Sequence, residues 1–77
     1  MNNIIHELNG IKYLEFVYPI DANDESQIAD VHKKVRDCNG IIRGVIKTEE
    51  IGGWLNRKRI IYCSFLIPED QIDKFEQ

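Results

Sequence analysis

This chain of 77 residues has little of what usually announces chemistry. Its two cysteines, Cys38 and Cys63, are too few for a disulfide scaffold. They are also too far apart for the close Cys-x₂-Cys pairs of structural zinc sites. The two histidines do not complete a ligand set. His32 and Cys38 are six residues apart, which on a helix turns them about 120° from one another. The expectation is that no metal or cofactor is held and that both cysteines are small core residues.

Serine is equally sparse. Ser26 and Ser64 are the only two, and neither lies in a nucleophile elbow. There is no P-loop and no dinucleotide fingerprint. His6 could act as a general base only if it lined a cleft, and its pattern fits an edge-strand residue better. Asp21, Asn23 and Glu25 have the alternate spacing of a calcium loop. Ser26 and His32 stand where that loop needs its turn glycine and its bidentate glutamate. A solvated helix start explains the three acidic and amide residues. Enzymatic activity is therefore the least supported function.

A long apolar run is missing too. The longest, Ile60 to Ile67, is broken by Ser64 and is too short to span a bilayer. Met1 to His6 has neither the basic region nor the apolar run of a signal peptide. These features lead to the expectation of a cytoplasmic protein with reduced thiols and no membrane partner. Nor is there an excess of base. The 13 acids outnumber the 10 bases, for a net charge of −3, which argues against a nucleic-acid partner. The balance differs along the chain. Residues 1–40 hold seven acids and four bases, whereas 41–77 hold six of each, with Arg57, Lys58 and Arg59 consecutive.

What is present is enough for a fold. The apolar fraction of 43 % suits a packed chain, and residues 1–77 read as a single small α+β domain. A domain of this size buries only roughly 60–65 % of its unfolded surface, so a second copy would supply burial that it lacks. Ile4–Leu8 and Ile11–Tyr18 flank Asn9-Gly10, the strongest short hairpin signal. A two-residue turn sets Leu8 opposite Ile11, Glu7 opposite Lys12, His6 opposite Tyr13 and Ile5 opposite Leu14. Ile5, Leu14, Phe16 and Tyr18 then share one face, and Ile4, Leu8, Ile11, Tyr13 and Val17 the other. Both faces are apolar, so one covers the helical core and the other needs a second cover. The short C-terminal helix, the loop around Trp54 and another chain are the candidates.

Pro19 is expected to end the second strand. Asp24 reads as a helix N-cap, with Gln27 three residues on. Ile28, Val31, Val35 and Cys38 make one helical stripe, closed by Asn39-Gly40. Ile41–Thr48 reads as a strand with a bulge at Gly44. Glu49–Lys58 reads as a loop, and Arg59–Ile67 as the strongest strand, with Ile61, Cys63, Phe65 and Ile67 on one face. Pro68 is placed as the first residue of a short helix docked by Ile72 and Phe75. The order ββαββα favours a four-stranded antiparallel or mixed sheet with one main helix. The preferred form is a ferredoxin-like variant, its strands running first, second, fourth, third. A simple meander is the alternative.

The loop before the last strand stands out. It holds the only tryptophan beside Gly52 and Gly53, between an acidic and a basic flank. Ile51, Trp54 and Leu55 are apolar where a hairpin loop is ordinarily polar. Trp and Arg are the commonest interface anchors. Ile51, Trp54, Leu55, Arg57, Lys58 and Arg59 are thus the expected partner-binding residues. The competing expectation is that Trp54 folds back as a lid on the core. Together these features suggest a non-enzymatic binding or regulatory domain acting through protein–protein contacts, with a protein partner or a second copy in a homodimer. One alternative is a small-molecule-sensing ferredoxin-like regulatory domain. Another is single-stranded nucleic-acid binding through residues 57–59 and Tyr62. The last strand departs from the aromatic pattern of RNA-recognition modules, because Tyr62 and Phe65 should point to opposite faces.

Overall fold

The computed structural model describes residues 5–77. The elements run β1 (Ile5–Leu8), β2 (Ile11–Asp21), α1 (Glu25–Asp37), β3 (Ile41–Ile51), β4 (Lys58–Pro68), a 3₁₀ turn (Glu69–Gln71) and α2 (Ile72–Glu76). The chain is α+β, with one four-stranded sheet in the order β1-β2-β4-β3. Every neighbouring pair is antiparallel.

The first hairpin turns at Asn9 (φ 53°) and Gly10 (φ 81°), both left-handed as a type I′ turn requires. All four expected pairs form, from Leu8 opposite Ile11 to Ile5 opposite Leu14. Ile4, placed on the second face of this hairpin by its spacing, lies outside the described residues.

The second strand does not stop at Pro19 but runs to Asp21. The register explains how proline is accommodated. The Ala22 amide donates to the Arg59 carbonyl directly opposite it. Hydrogen-bonded and non-bonded pairs alternate along an antiparallel ladder, so Pro19, opposite Tyr62, falls on a non-bonded position. The amide hydrogen it lacks is not needed by β4.

The Asp24 side chain caps α1 by accepting from the Gln27 amide at 3.0 Å. At the other end Asn39 adopts φ 57°, and the Gly40 amide donates to the Val35 carbonyl while that of Asn39 donates to Arg36. This is a Schellman closure. A β-carbon on Gly40 would lie 2.8 Å from Val35 Cγ1, Ile67 Cδ1 and the Leu66 carbonyl. The glycine lets the chain pass close beneath the helix into β3.

β3 is longer than its sequence pattern suggests, reaching Ile51. Its register against β4 slips twice, between Ile42 and Gly44 and between Val45 and Lys47. Gly44, at φ 115°, marks the first slip. Pro68 also departs from its expected place. Its ψ of 142° is extended, so it ends β4, and the chain enters α2 through the 3₁₀ turn.

The core lies on one face of the sheet. Ile20, Cys63, Phe65 and Ile67 from the strands meet Val35 of α1, Cys38 at its C-terminal cap and Phe75 of α2. Phe16, Tyr18, Ile28, Val31, Ile61 and Ile72 pack around them. Phe75 sits edge-on to Phe16 at 5.0 Å, which fixes α2 on the same side as α1. The short C-terminal helix therefore does not cover the second face. Hydrophobic burial requires it to seal the open end of the existing core instead.

Candidate functional site

Two regions of the described residues bear unused surface: the β3–β4 hairpin end and the sheet face away from the helices. At the hairpin end, Ile51 pairs with Lys58, and Gly52–Arg57 form the loop. Gly52 has φ 100°, and a β-carbon there would collide with the Asn56 carbonyl. The Asn56 amide in turn donates to the Gly53 carbonyl at 3.2 Å. This tight closure pushes Trp54 and Leu55 outward. They are 84 % and 75 % exposed, so Trp54 is not a lid on the core. Ile51, exposed at the end of β3, adds a third apolar group. It is a strand residue, not the loop residue its neighbours in sequence suggest.

The basic residues cluster beside this apolar tip. Arg57, Lys58 and Arg59 join Glu50, Ala22 and Asn23 around a shallow cavity of about 480 Å³. Glu50 is shared by two of them, at 3.4 Å from Arg59 Nη2 and 3.8 Å from Arg57 Nη1. Lys58 makes no ion pair among the described residues. The six residues singled out from the sequence are thus brought to one end of the sheet.

The face away from the helices carries a different chemistry. Ser64 is fully buried and donates to Glu15 Oε2 at 2.5 Å. The same oxygen accepts from Arg43 Nη1 at 3.1 Å. One residue pair along the strands, Tyr62 donates to Glu49 Oε1 at 3.1 Å, and Lys47 lies over its ring at 5.1 Å. The hydrogen bond to Glu49, followed by partial burial, raises the Tyr62 phenol above its ordinary value. Around this polar strip Leu8, Ile11, Val17 and Ile41 are exposed. Nothing in the sequence signalled the Glu15–Ser64–Arg43 group, because its members are far apart in the chain and meet only through register.

Cys38 and Cys63 are buried free thiols, and burial pushes Cys63 up, which keeps it protonated and unreactive. His32 lies edge-on to Phe65 at 6.1 Å. Among the described residues no group of three or more His, Cys, Asp or Glu gathers as a metal site requires. Asp21 and Asp24 spend their side chains on the backbone amides of Asn23 and Gln27. His6 is half-buried opposite Tyr13, and among the described residues its Nε2 has no hydrogen-bond partner to orient it as a base. Tyr62 and Phe65 do point to opposite faces, Phe65 into the core. Arg57 and Arg59 lie beside Glu50, and Tyr62 donates to Glu49. No described helix is long and apolar enough to cross a membrane.

A second cleft, of about 510 Å³, lies at the opposite end of β4. Gly10, Ile11, Lys12 and Tyr13 line it from the first hairpin, and Asn39 and Pro68–Gln71 from the other side. Its residues come from three distant stretches of chain, so no local sequence signal could have revealed it. Compared with known proteins, the chain matches no protein-family model, no curated protein and no solved structure.

Proposed function

We infer that this chain is a small non-enzymatic binding or regulatory domain, working through protein–protein contacts made at the β3–β4 hairpin end. Ile51, Trp54 and Leu55 are its apolar anchors, and Arg57, Lys58 and Arg59 give the contact its charge. The observation that carries this reading is the outward position of Trp54 and Leu55, held by a glycine-dependent loop closure. Two large apolar side chains so exposed at one tip gain nothing for the monomer, while Trp is among the strongest interface anchors. We read residues 1–77 as one domain and its sheet as a ferredoxin-like variant, with β1 in the outer place usually taken by a C-terminal strand. The order β1-β2-β4-β3 supports that assignment. A cytoplasmic setting fits the two free thiols.

The test is site-specific photo-crosslinking in cells that make the protein. A photoreactive residue in place of Leu55 should give discrete protein adducts that disappear when Trp54→Ala is added. The same group in place of Asp30, on the exposed side of α1, should give none. Equal adducts from both positions would refute the contact loop.

A further inference from the structure

Opposite charges gather locally at the two ends of this molecule, whose longest dimension is 49 Å. At the β3–β4 hairpin Arg57, Lys58 and Arg59 stand beside Glu50, with Asp21 at the same end of the sheet opposite Ile60. Residues 69–77 hold four acids against one base. The register separates them, since Lys58 begins β4 and Pro68 ends it. A strand of that length spans about 33 Å. The cleft of about 510 Å³ lies at the Pro68 end. Ile11, Tyr13 and Pro68 give it apolar wall, and the exposed acids Glu69 and Asp70 and the base Lys12 stand beside them. Its volume falls within the roughly 300–1,000 Å³ of sites that hold small organic groups.

We propose that the chain self-associates by seating the Trp54–Leu55 tip of one copy in this cleft of a second copy. Arg57 and Lys58 of the first copy then face Glu69 and Asp70 of the second. This inference rests on the contact-loop reading and names the loop's occupant. Tip and cleft lie at opposite ends, so two copies side by side and antiparallel make the contact twice. That arrangement closes a two-fold pair and leaves no free end for further growth. The charge pairing orients the approach, and the indole supplies the buried anchor. An anionic membrane is the poorer occupant, because Glu49 and Glu50 stand at the neck of the loop and would face the headgroups.

Sedimentation velocity of the full chain over a concentration series, read together with tryptophan fluorescence, tests this. Trp54 is the only tryptophan, so its emission reports its own burial. The expected result is a dimer that forms with rising concentration, with emission shifting to the blue in step. Trp54→Ala, and separately the pair Glu69→Lys and Asp70→Lys, should each weaken association about 30-fold, and salt should weaken it further. All three residues are exposed, and unchanged circular dichroism would show both variants folded.

A dimer unaffected by either variant would overturn the proposal. So would a wild-type monomer whose tryptophan stays solvated at every concentration, or a blue shift seen only with vesicles of anionic phospholipid. In the monomer case, adducts from the Leu55 position to a different protein would leave the contact loop standing and remove only the second copy as its occupant.

Discussion

The two faces of the sheet use the same four strands in opposite ways. On the helix side the centre is apolar and dry, and the strand residues Ile20, Phe65 and Ile67 are closed over by Val35, Cys38 and Phe75. On the other side the central position of β4 is a serine that donates with Arg43 to Glu15, and beside it Tyr62 donates to Glu49. The contrast teaches where stability and surface specificity reside. A buried apolar side chain adds free energy in proportion to the area it hides from water, whereas a hydrogen bond exchanged with water adds little net. The helix face should therefore dominate folding, and the open face should set local geometry and charge.

Phe65→Ala is the most damaging way to test that division. Phe65 is fully buried and meets Tyr18 at a ring distance of 6.0 Å. Truncating such a ring costs about 3–5 kcal/mol, a large part of the about 5–15 kcal/mol that holds a typical domain together. Chemical denaturation should show the variant marginally folded or unfolded. A loss under about 1 kcal/mol would mean that the core is not where stability lies. Gly40→Ala should come second, at about 1–3 kcal/mol. The added methyl meets two side chains and the Leu66 carbonyl, and the carbonyl is held in β4. Its φ needs no left-handed backbone, so the cost would be one of space alone.

Much of this division was legible in the sequence, because periodicity encodes one-sided burial. The helical stripe from Ile28 to Cys38, the alternation through Phe65 and the Asn9-Gly10 turn all declare themselves locally. What escaped was whatever depends on register. Pro19 looks like a strand end until the ladder shows that its missing amide hydrogen is not needed. The Glu15–Ser64 bond joins residues 49 apart in the chain. The exposure of Trp54 turns on whether a six-residue loop closes inward or outward, and composition alone is neutral on that point. The cleft beside Pro68 exists only because the first hairpin and the C-terminal turn end at the same edge.

Ser64→Ala sharpens the comparison from the open side. Alanine fits the space but removes the donor to Glu15, which keeps only Arg43. The expected loss is about 1–2 kcal/mol by denaturant titration, well below that of Phe65→Ala on the same strand. If the two losses proved equal, the polar strip would carry as much of the fold as the core does.

The two perturbed tyrosines give the finest comparison, one on each face. Tyr18, on the helix side, is raised above its ordinary value first by burial and then by the charge of Glu76. Tyr62, on the open side, is raised first by its hydrogen bond to Glu49. Glu49→Gln should therefore lower the Tyr62 value toward 10.0 and leave Tyr18 where it is, as residue-resolved NMR titration of the rings would report. The sign for stability follows from linkage. A folded state that holds its phenol proton more tightly than the unfolded chain keeps the whole contribution below the unfolded value. It loses that contribution as pH rises through the higher folded one. At neutral pH the wild type should thus hold a small margin from the Tyr62–Glu49 bond that Glu49→Gln removes. Wild type and variant should converge in strong alkali, where the wild type loses that margin. A Tyr18 value that moved together with Tyr62 would show the two faces to be electrostatically joined through the sheet.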